Sequence, residues 1–217
     1  MLAASVIIPV WNGAQELPAC LEALLAEPEI KQGACEVLVV DNASTDGSAE
    51  LLGDHALRYP QVRLIRNQTN LGFGGGCNVG LAQAQGEILI LLNQDTEVRP
   101  GWLAALLAVF ADPAIGIAGS KALYPDGTLQ HAGGVVDAQG SGSHRGYGEP
   151  DRGQYDALAD VDYVTGASLA LRRALYEQIG GFDEGFGLAY SEDVDLCLRA
   201  RAAGWRVVYA PSSVLIH

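Results

Sequence analysis

The sequence predicts an α/β fold: a mostly parallel central sheet with helices on both faces. Two observations carry this. Apolar runs rich in Val and Ile alternate with helix-period segments through the first half of the chain. The runs Val37-Leu38-Val39-Val40 and Ile88-Leu89-Ile90-Leu91-Leu92 are apolar at every position, as strands covered on both faces must be.

Ser5 to Val10 reads as a strand and Glu16 to Glu27 as a helix, in which Leu17, Cys20, Leu21, Leu24 and Leu25 line one face. Glu36 to Val40 is expected as strand, Ser48 to Tyr59 as helix, Val62 to Arg66 as strand and Gly76 to Ala84 as helix. Glu87 to Leu92 then reads as strand and Gly101 to Ala111 as helix. The turn signal Tyr124-Pro125-Asp126-Gly127, between Ile115 to Leu123 and Thr128 to Gln130, suggests a hairpin. Residues 138 to 160 have hardly any periodicity and read as a mobile functional loop. Regular structure returns with Tyr163 to Leu171, helices at Arg173 to Gln178 and Glu192 to Ala202, and a strand from Trp205 to Tyr209.

Of the 217 residues, 49% are hydrophobic and 18% charged, which fits one enlarged globular domain and excludes a disordered chain. Thirteen Lys and Arg against 26 Asp and Glu give a net charge of −13, which repels a phosphate backbone and argues against nucleic-acid partners. The apolar runs fall far short of the roughly 20 residues a membrane span needs. The first residues show no export signal, and a cytoplasmic location is expected. Cys20, Cys35, Cys77 and Cys197 form no C-x-x-C pair and read as buried free thiols.

Ligands of open parallel sheets bind beyond the carboxyl ends of the strands, where Asp41, Asp46 and Asp95 are expected to converge. Each also has a local task open to it: Asp46 as a helix cap, Asp41 and Asn42 as turn formers, Asp95 as a loop residue. Together, like charges at one rim call for a cation, and Mg2+ or Mn2+ takes carboxylates together with substrate phosphates. No G-x-x-x-x-G-K-[ST] loop is present, and the cluster Gly72-Phe73-Gly74-Gly75-Gly76-Cys77-Asn78-Val79-Gly80 does not complete G-x-G-x-x-G. It leaves a helix start free of side chains, suited equally to a phosphate and to tight packing on the sheet. In Ser191-Glu192-Asp193-Val194-Asp195, Ser191 reads as an N-cap, the acids after it suit a helix N-terminus and Asp195 pairs with Arg199, so helix chemistry alone explains most of the cluster; Asp193, in the first turn, could also meet what a base requires.

Six segments together resemble the nucleotide-sugar glycosyltransferases of the GT-A fold, and within them the large inverting family numbered two. They are Val6-Ile7-Ile8-Pro9-Val10-Trp11-Asn12, Val39-Val40-Asp41-Asn42-Ala43-Ser44-Thr45-Asp46-Gly47, Asn70-Leu71-Gly72-Phe73, Leu92-Asn93-Gln94-Asp95-Thr96, Gly180-Gly181-Phe182-Asp183-Glu184 and Glu192-Asp193-Val194-Asp195. They follow the family's order and cover nearly the whole chain. The resemblance implies one GT-A domain over 1–217, with a nucleotide-sugar half at 1–112 and a smaller mixed acceptor and base half at 113–217.

It further implies that Pro9, Val10, Trp11, Asn12, Asp41, Asn42, Asp46, Asn70, Gly72, Phe73 and Asn93 hold the donor. Asn93-Gln94-Asp95 looks like the family's D-x-D variant, with Asp95 on the metal, Mg2+ or Mn2+, and His217 resembles a late histidine that reaches it. Glu192 and Asp193 look like the catalytic pair, with Asp193 as base. An asparagine at the first position of D-x-D weakens charge neutralisation there. The expected partners are a nucleotide-sugar donor, dTDP-rhamnose or a UDP- or GDP-sugar, and a glycan or lipid-linked acceptor, in rhamnosyltransferase-like synthesis of cell-surface polysaccharide. Peripheral association with the inner face of the membrane is expected through a segment outside this chain. His131, His144, Arg145 and Tyr147 lie in a segment, Gln130 to Asp160, that closes over donor or acceptor or else is an exposed linker. Two rival functions stand beside this one. A sugar-nucleotide pyrophosphorylase would carry a glycine-rich loop where Pro9-Val10-Trp11-Asn12 stands, and an inactive nucleotide-sugar or glycan-binding domain would not need Asp95 and Asp193.

Overall fold

In the computed structural model, which describes residues 2–186 and 191–217, the chain begins with β1 (Ala4–Val10), α1 (Leu17–Ala26), the single turn α2 (Pro28–Lys31), β2 (Cys35–Asp41), α3 (Ser48–Arg58) and β3 (Val62–Arg66). It continues through α4 (Gly72–Gln83), β4 (Ile88–Leu92), β5 (Glu97–Val98), α5 (Trp102–Ala108), β6 (Ile115–Leu123) and β7 (Leu129–His131). The second half adds β8 (Gly134–Val136), β9 (Gly142–His144), β10 (Ala159–Asp160), β11 (Ser168–Arg172), α6 (Arg173–Ile179), α7 (Glu192–Ala202) and β12 (Arg206–Ile216).

The main sheet runs β10-β12-β6-β11-β4-β1-β2-β3. Its β3-β2-β1-β4 half is parallel, β11 is antiparallel to both its neighbours, and β6 and β12 pair in parallel. Each central strand sends alternate side chains to opposite faces. Val6, Ile8 and Val10 pack into the core under α1, α3 and α5, whereas Ile7 joins the core under α4, α6 and α7. Val37 and Val39 split from Leu38 and Val40 in the same way, and Ile88, Ile90 and Leu92 from Leu89 and Leu91. Truncating a fully buried residue here, such as Leu38→Ala, would cost about 2–5 kcal/mol.

Glu27, buried where α1 ends, accepts from the backbone N–H groups of Gly101 and Leu103 and so satisfies the open amides of α5. The turn at Tyr124 to Gly127 closes the β6–β7 hairpin, with Gly127 at φ 86° donating to Tyr124 O. That hairpin carries Gln130 to His217, which stands beside Asn93 and Asp95 at the carboxyl end of β4.

Four expectations need correction. The fourth helix starts at Gly72 rather than Gly76, so its first turn is built from the glycine cluster itself. The last strand continues past Tyr209 to Ile216, with a register shift between Ala210 and Val214 that accommodates Pro211. Residues 138–160 are tied down: β8 pairs β9, β10 pairs β12, and Lys121 holds Asp151 and Asp156. Ser191 occupies the N-cap position of α7 but at φ 73°, with no capping bond from its side chain.

Candidate active site

Two clefts meet at the carboxyl edge of the sheet and share Phe73 and Asn93 in their walls. The smaller, about 390 Å³, is lined by Pro9, Val10 and Trp11 from the end of β1, Asn42 from the end of β2, Asn70 and Gly72 at the start of α4, and Gln94 and Asp95 after β4. Trp11 is 54% exposed, an indole left open to a flat partner. Gln94 braces it, accepting from the Trp11 N–H at 2.9 Å and donating to the Trp11 carbonyl.

Asn42 is buried, donating to Gly72 O at 3.0 Å and accepting from the Asn67 amide at 2.7 Å. Asn70 accepts from Gly72 N–H, which lets the chain turn at φ 75° into α4. These side chains form the cleft floor by holding one another.

The expected convergence of three carboxylates is not found. Asp41 is buried and accepts from Ser44 N–H. Asp46 accepts from Ala14 N–H and from both the N–H and hydroxyl of Ser48, and these bonds hold its carboxyl below the usual range. Asn12, at φ 50°, donates to Ser44 Oγ and accepts from Thr45 N–H. None of the three lines the small cleft; they stitch the loop after β1 to the loop after β2. These loops carry N–H groups that the short acids satisfy.

Asp95 does stand at the cleft, its side chain 50% exposed, with Oδ1 3.4 Å from His217 Nε2. That imidazole holds its carboxyl below the ordinary value. The Asn93 amide lies 3.2 Å from the same Nε2, and its Oδ1 is a buried acceptor with no partner among the described residues. His217 is fixed from behind by Gln130, whose Oε1 lies 2.7 Å from Nδ1. A carboxylate and an imidazole brought this close, backed by a hydrogen-bonded outer residue, suit a divalent cation. Among the described residues no three His, Cys, Asp or Glu side chains gather to enclose one, so oxygens from a ligand and water would complete its shell.

The larger cleft, about 690 Å³, carries Asp193 and Glu192 from the first turn of α7, Thr165 to Ala167 ahead of β11, and Tyr124, His144, Tyr147, Tyr163 and His217. Asp193 accepts from Gly166 N–H at 2.9 Å and from Val194 N–H at 2.8 Å, one bond to each oxygen. Each oxygen keeps a second lone pair, so the carboxylate is oriented without being saturated. Glu192 is buried, which raises its carboxyl pKa, and its Oε2 has no partner among the described residues.

Sequence reasoning missed Gln94, Gln130, Gly166, Tyr124 and Tyr163. The first two stand beside Asp95 and His131 in the chain, but an isolated glutamine carries no signal of its own. Gly166 opens a turn whose amide role depends on α7, far away in sequence.

A model of the family described as glycosyl transferase family 2 matches residues 5–180. The chain is 34% identical over 98% of its length to the O-antigen biosynthesis protein RfbC of Myxococcus xanthus, of which it spans 17%. It is 34% identical over 83% of its length to the N-acetylglucosaminyl-diphospho-decaprenol L-rhamnosyltransferase of Mycobacterium tuberculosis, of which it spans 66%. Among solved structures, the mannosyltransferase PcManGT of Pyrobaculum calidifontis, in complex with GDP-Man and Mn2+, superposes with a TM-score of 0.76 at 22% identity, over 99% of this chain and 56% of that one.

Proposed function

The chain belongs to glycosyl transferase family 2, and from that membership and its GT-A fold we propose that it moves a sugar from a nucleoside-diphosphate sugar to a hydroxyl of a glycan or lipid-linked acceptor, with inversion. The observation that carries the reading is the pair of adjoining clefts: Trp11, Asn42 and Asp95 in one, Asp193 in the other, Phe73 and Asn93 common to both. A donor lies in the small cleft with its nucleoside against Trp11 and Val10, and its anomeric carbon reaches the boundary at Asn93. Asp41, Asp46 and Asn12 serve this site as loop supports.

The acceptor occupies the large cleft. Asp193 takes the proton of the attacking hydroxyl on a free carboxylate lone pair. The oxygen bonds to the anomeric carbon as the bond to the nucleoside diphosphate breaks on the opposite face, and one displacement inverts the configuration. Asp95 and His217 would hold a Mg2+ or Mn2+ ion, which supplies positive charge to the diphosphate. Gly166 N–H keeps Asp193 in place for the transfer, and Gln130 keeps His217 in its tautomer.

The mycobacterial relative's name supports an L-rhamnosyl donor, dTDP-rhamnose, and a lipid-linked acceptor. That of the Myxococcus relative supports cell-surface polysaccharide synthesis. A lipid-linked acceptor puts the reaction at a membrane face, although no described helix is long and apolar enough to cross one.

The test is a donor screen with dTDP-rhamnose, UDP-sugars and GDP-sugars, with and without Mn2+, on wild type, Asp95→Ala and Asp193→Asn. At least one donor should turn over in wild type. Asp193→Asn should lose about 100- to 10,000-fold in turnover with donor affinity kept, and Asp95→Ala should lose the metal dependence. Nucleotide binding without turnover of any donor would mean a binding domain instead.

A further inference from the structure

His131 and His144 form a pair that the transfer reading leaves unused. Their Nδ1 atoms lie 2.6 Å apart, and the rings meet edge to face with centroids at 4.8 Å. His131 is fully buried, and its Nε2 accepts from the Thr165 N–H at 3.3 Å. A nitrogen that accepts has no proton, so the proton of neutral His131 sits on Nδ1. It is donated to Nδ1 of His144, which must then carry its own proton on Nε2. One backbone amide therefore sets both tautomers in sequence. Burial lowers the pKa of both rings, that of His131 well below its ordinary value, in keeping with a neutral pair.

The two nitrogens of an imidazole diverge, so with Nδ1 turned to buried His131, the Nε2–H of His144 points outward. It has no hydrogen-bond partner among the described residues. His144 lies in the wall of the large cleft together with Asp193, Tyr124 and Tyr147. The two tyrosine hydroxyls are 3.1 Å apart, and Tyr147 is 64% exposed. An exposed tyrosine ring beside a fixed N–H donor suits a pyranoside, whose C–H face stacks while its oxygens accept. The cleft with Trp11 and Asp95 does not include His144, which ties the residue to the acceptor rather than the donor.

Resting on the transfer reading, we propose that His144 is an acceptor-binding residue that offers Nε2–H as a neutral donor to an oxygen of a pyranoside acceptor, and that His131 is the positioning residue that fixes its tautomer.

Ring tautomers are read by long-range proton–nitrogen correlation on protein with isotope-labelled histidines, loaded with a nucleoside diphosphate and Mg2+ near neutral pH. The expected result is Nδ1–H for His131 and Nε2–H for His144. Titration with methyl α-rhamnoside and methyl β-N-acetylglucosaminide should shift the His144 signal saturably with at least one of them. His144→Phe, at an exposed position, should keep its affinity for the nucleoside diphosphate, which the other cleft holds, while the acceptor KM rises about tenfold. His131→Phe should leave His144 as a mixture of tautomers with a smaller rise in KM. A His144 ring found as Nδ1–H or as imidazolium, a signal unmoved by both glycosides, or an unchanged acceptor KM in His144→Phe overturns the proposal and leaves the transfer reading standing. A wild type that binds nucleotide but turns over no donor overturns the transfer reading, and this proposal with it.

Discussion

Nδ1 of His217 lies 2.7 Å from Oε1 of Gln130, while the other nitrogen of the ring faces Asp95. The Gln130 amide is oriented by its own donation from Nε2 to the His217 carbonyl, so it is Oε1 that meets the ring. An amide oxygen only accepts. With a cation held between Nε2 and Asp95, the ring proton sits on Nδ1 facing Gln130, and Nε2 turns its lone pair to the ion instead of donating to the carboxylate. Gln130→Leu removes this control, and Mn2+ affinity in the presence of nucleoside diphosphate should fall about 10- to 100-fold. Calorimetric titration with Mn2+ checks it, and an unchanged affinity would mean that His217 does not take part in holding the ion.

Glu192 carries a pH signature of opposite sign to that of a salt-bridged acid. Burial raises its folded pKa above the ordinary 4.5, so the folded protein binds the proton more tightly than the unfolded chain does. Stability from this group is therefore complete below 4.5 and is lost as pH rises through the folded value. Glu192→Gln should be more stable than wild type near neutral pH, with a higher Tm. The gain should vanish in acid. Thermal melts across pH decide it, and a difference that grows in acid would contradict the sign.

Much of the first half of the chain was legible because its signals are local. The fully apolar runs of β2 and β4 announced a sheet covered on both faces, and beyond that half the turn at Tyr124 to Gly127 announced the β6–β7 hairpin. The start of α4 was hidden for a physical reason: glycine is a poor helix former, and here tertiary packing overrides propensity. A Cβ at Gly80 would stand 2.3 Å from Ile7, so the helix lies too close to β1 to allow anything larger. The second half was less legible because its pairings join segments without periodicity, as when β8 and β9 bring His144 onto His131. The convergence expected of Asp41 and Asp46 with Asp95 was not found because an acid that caps a loop and an acid that faces a ligand look alike in sequence.

The four cysteines should be silent toward thiol reagents in the folded state. Each is buried, and burial pushes Cys20 up to about 12 and Cys35 up to about 11, with Cys77 and Cys197 also raised. The thiolate is the reacting form, so both access and ionisation oppose attack. A chromogenic disulfide reagent should release no colour from native protein within minutes and four equivalents after denaturation. Rapid reaction of even one thiol would show that its cover opens.

Two glycine substitutions should separate helix propensity from site packing. Gly53, within α3, has nothing within 4 Å of where a Cβ would stand, and no positive φ. Gly53→Ala should stabilise the protein by about 0.5–1 kcal/mol, through helix propensity alone, with donor KM unchanged. Gly76, within α4, would place a Cβ 2.5 Å from Asn42 Nδ2. Asn42 cannot give way without losing its bonds to Gly72 O and to Asn67, which hold the floor of the small cleft. Gly76→Ala should therefore lose stability by about 1–3 kcal/mol despite the better helix former, and raise the donor KM about tenfold as the start of α4 shifts. Melts and donor saturation curves on the two variants check this. A stabilised Gly76→Ala with normal donor KM would show that Asn42 does not hold the donor cleft in shape.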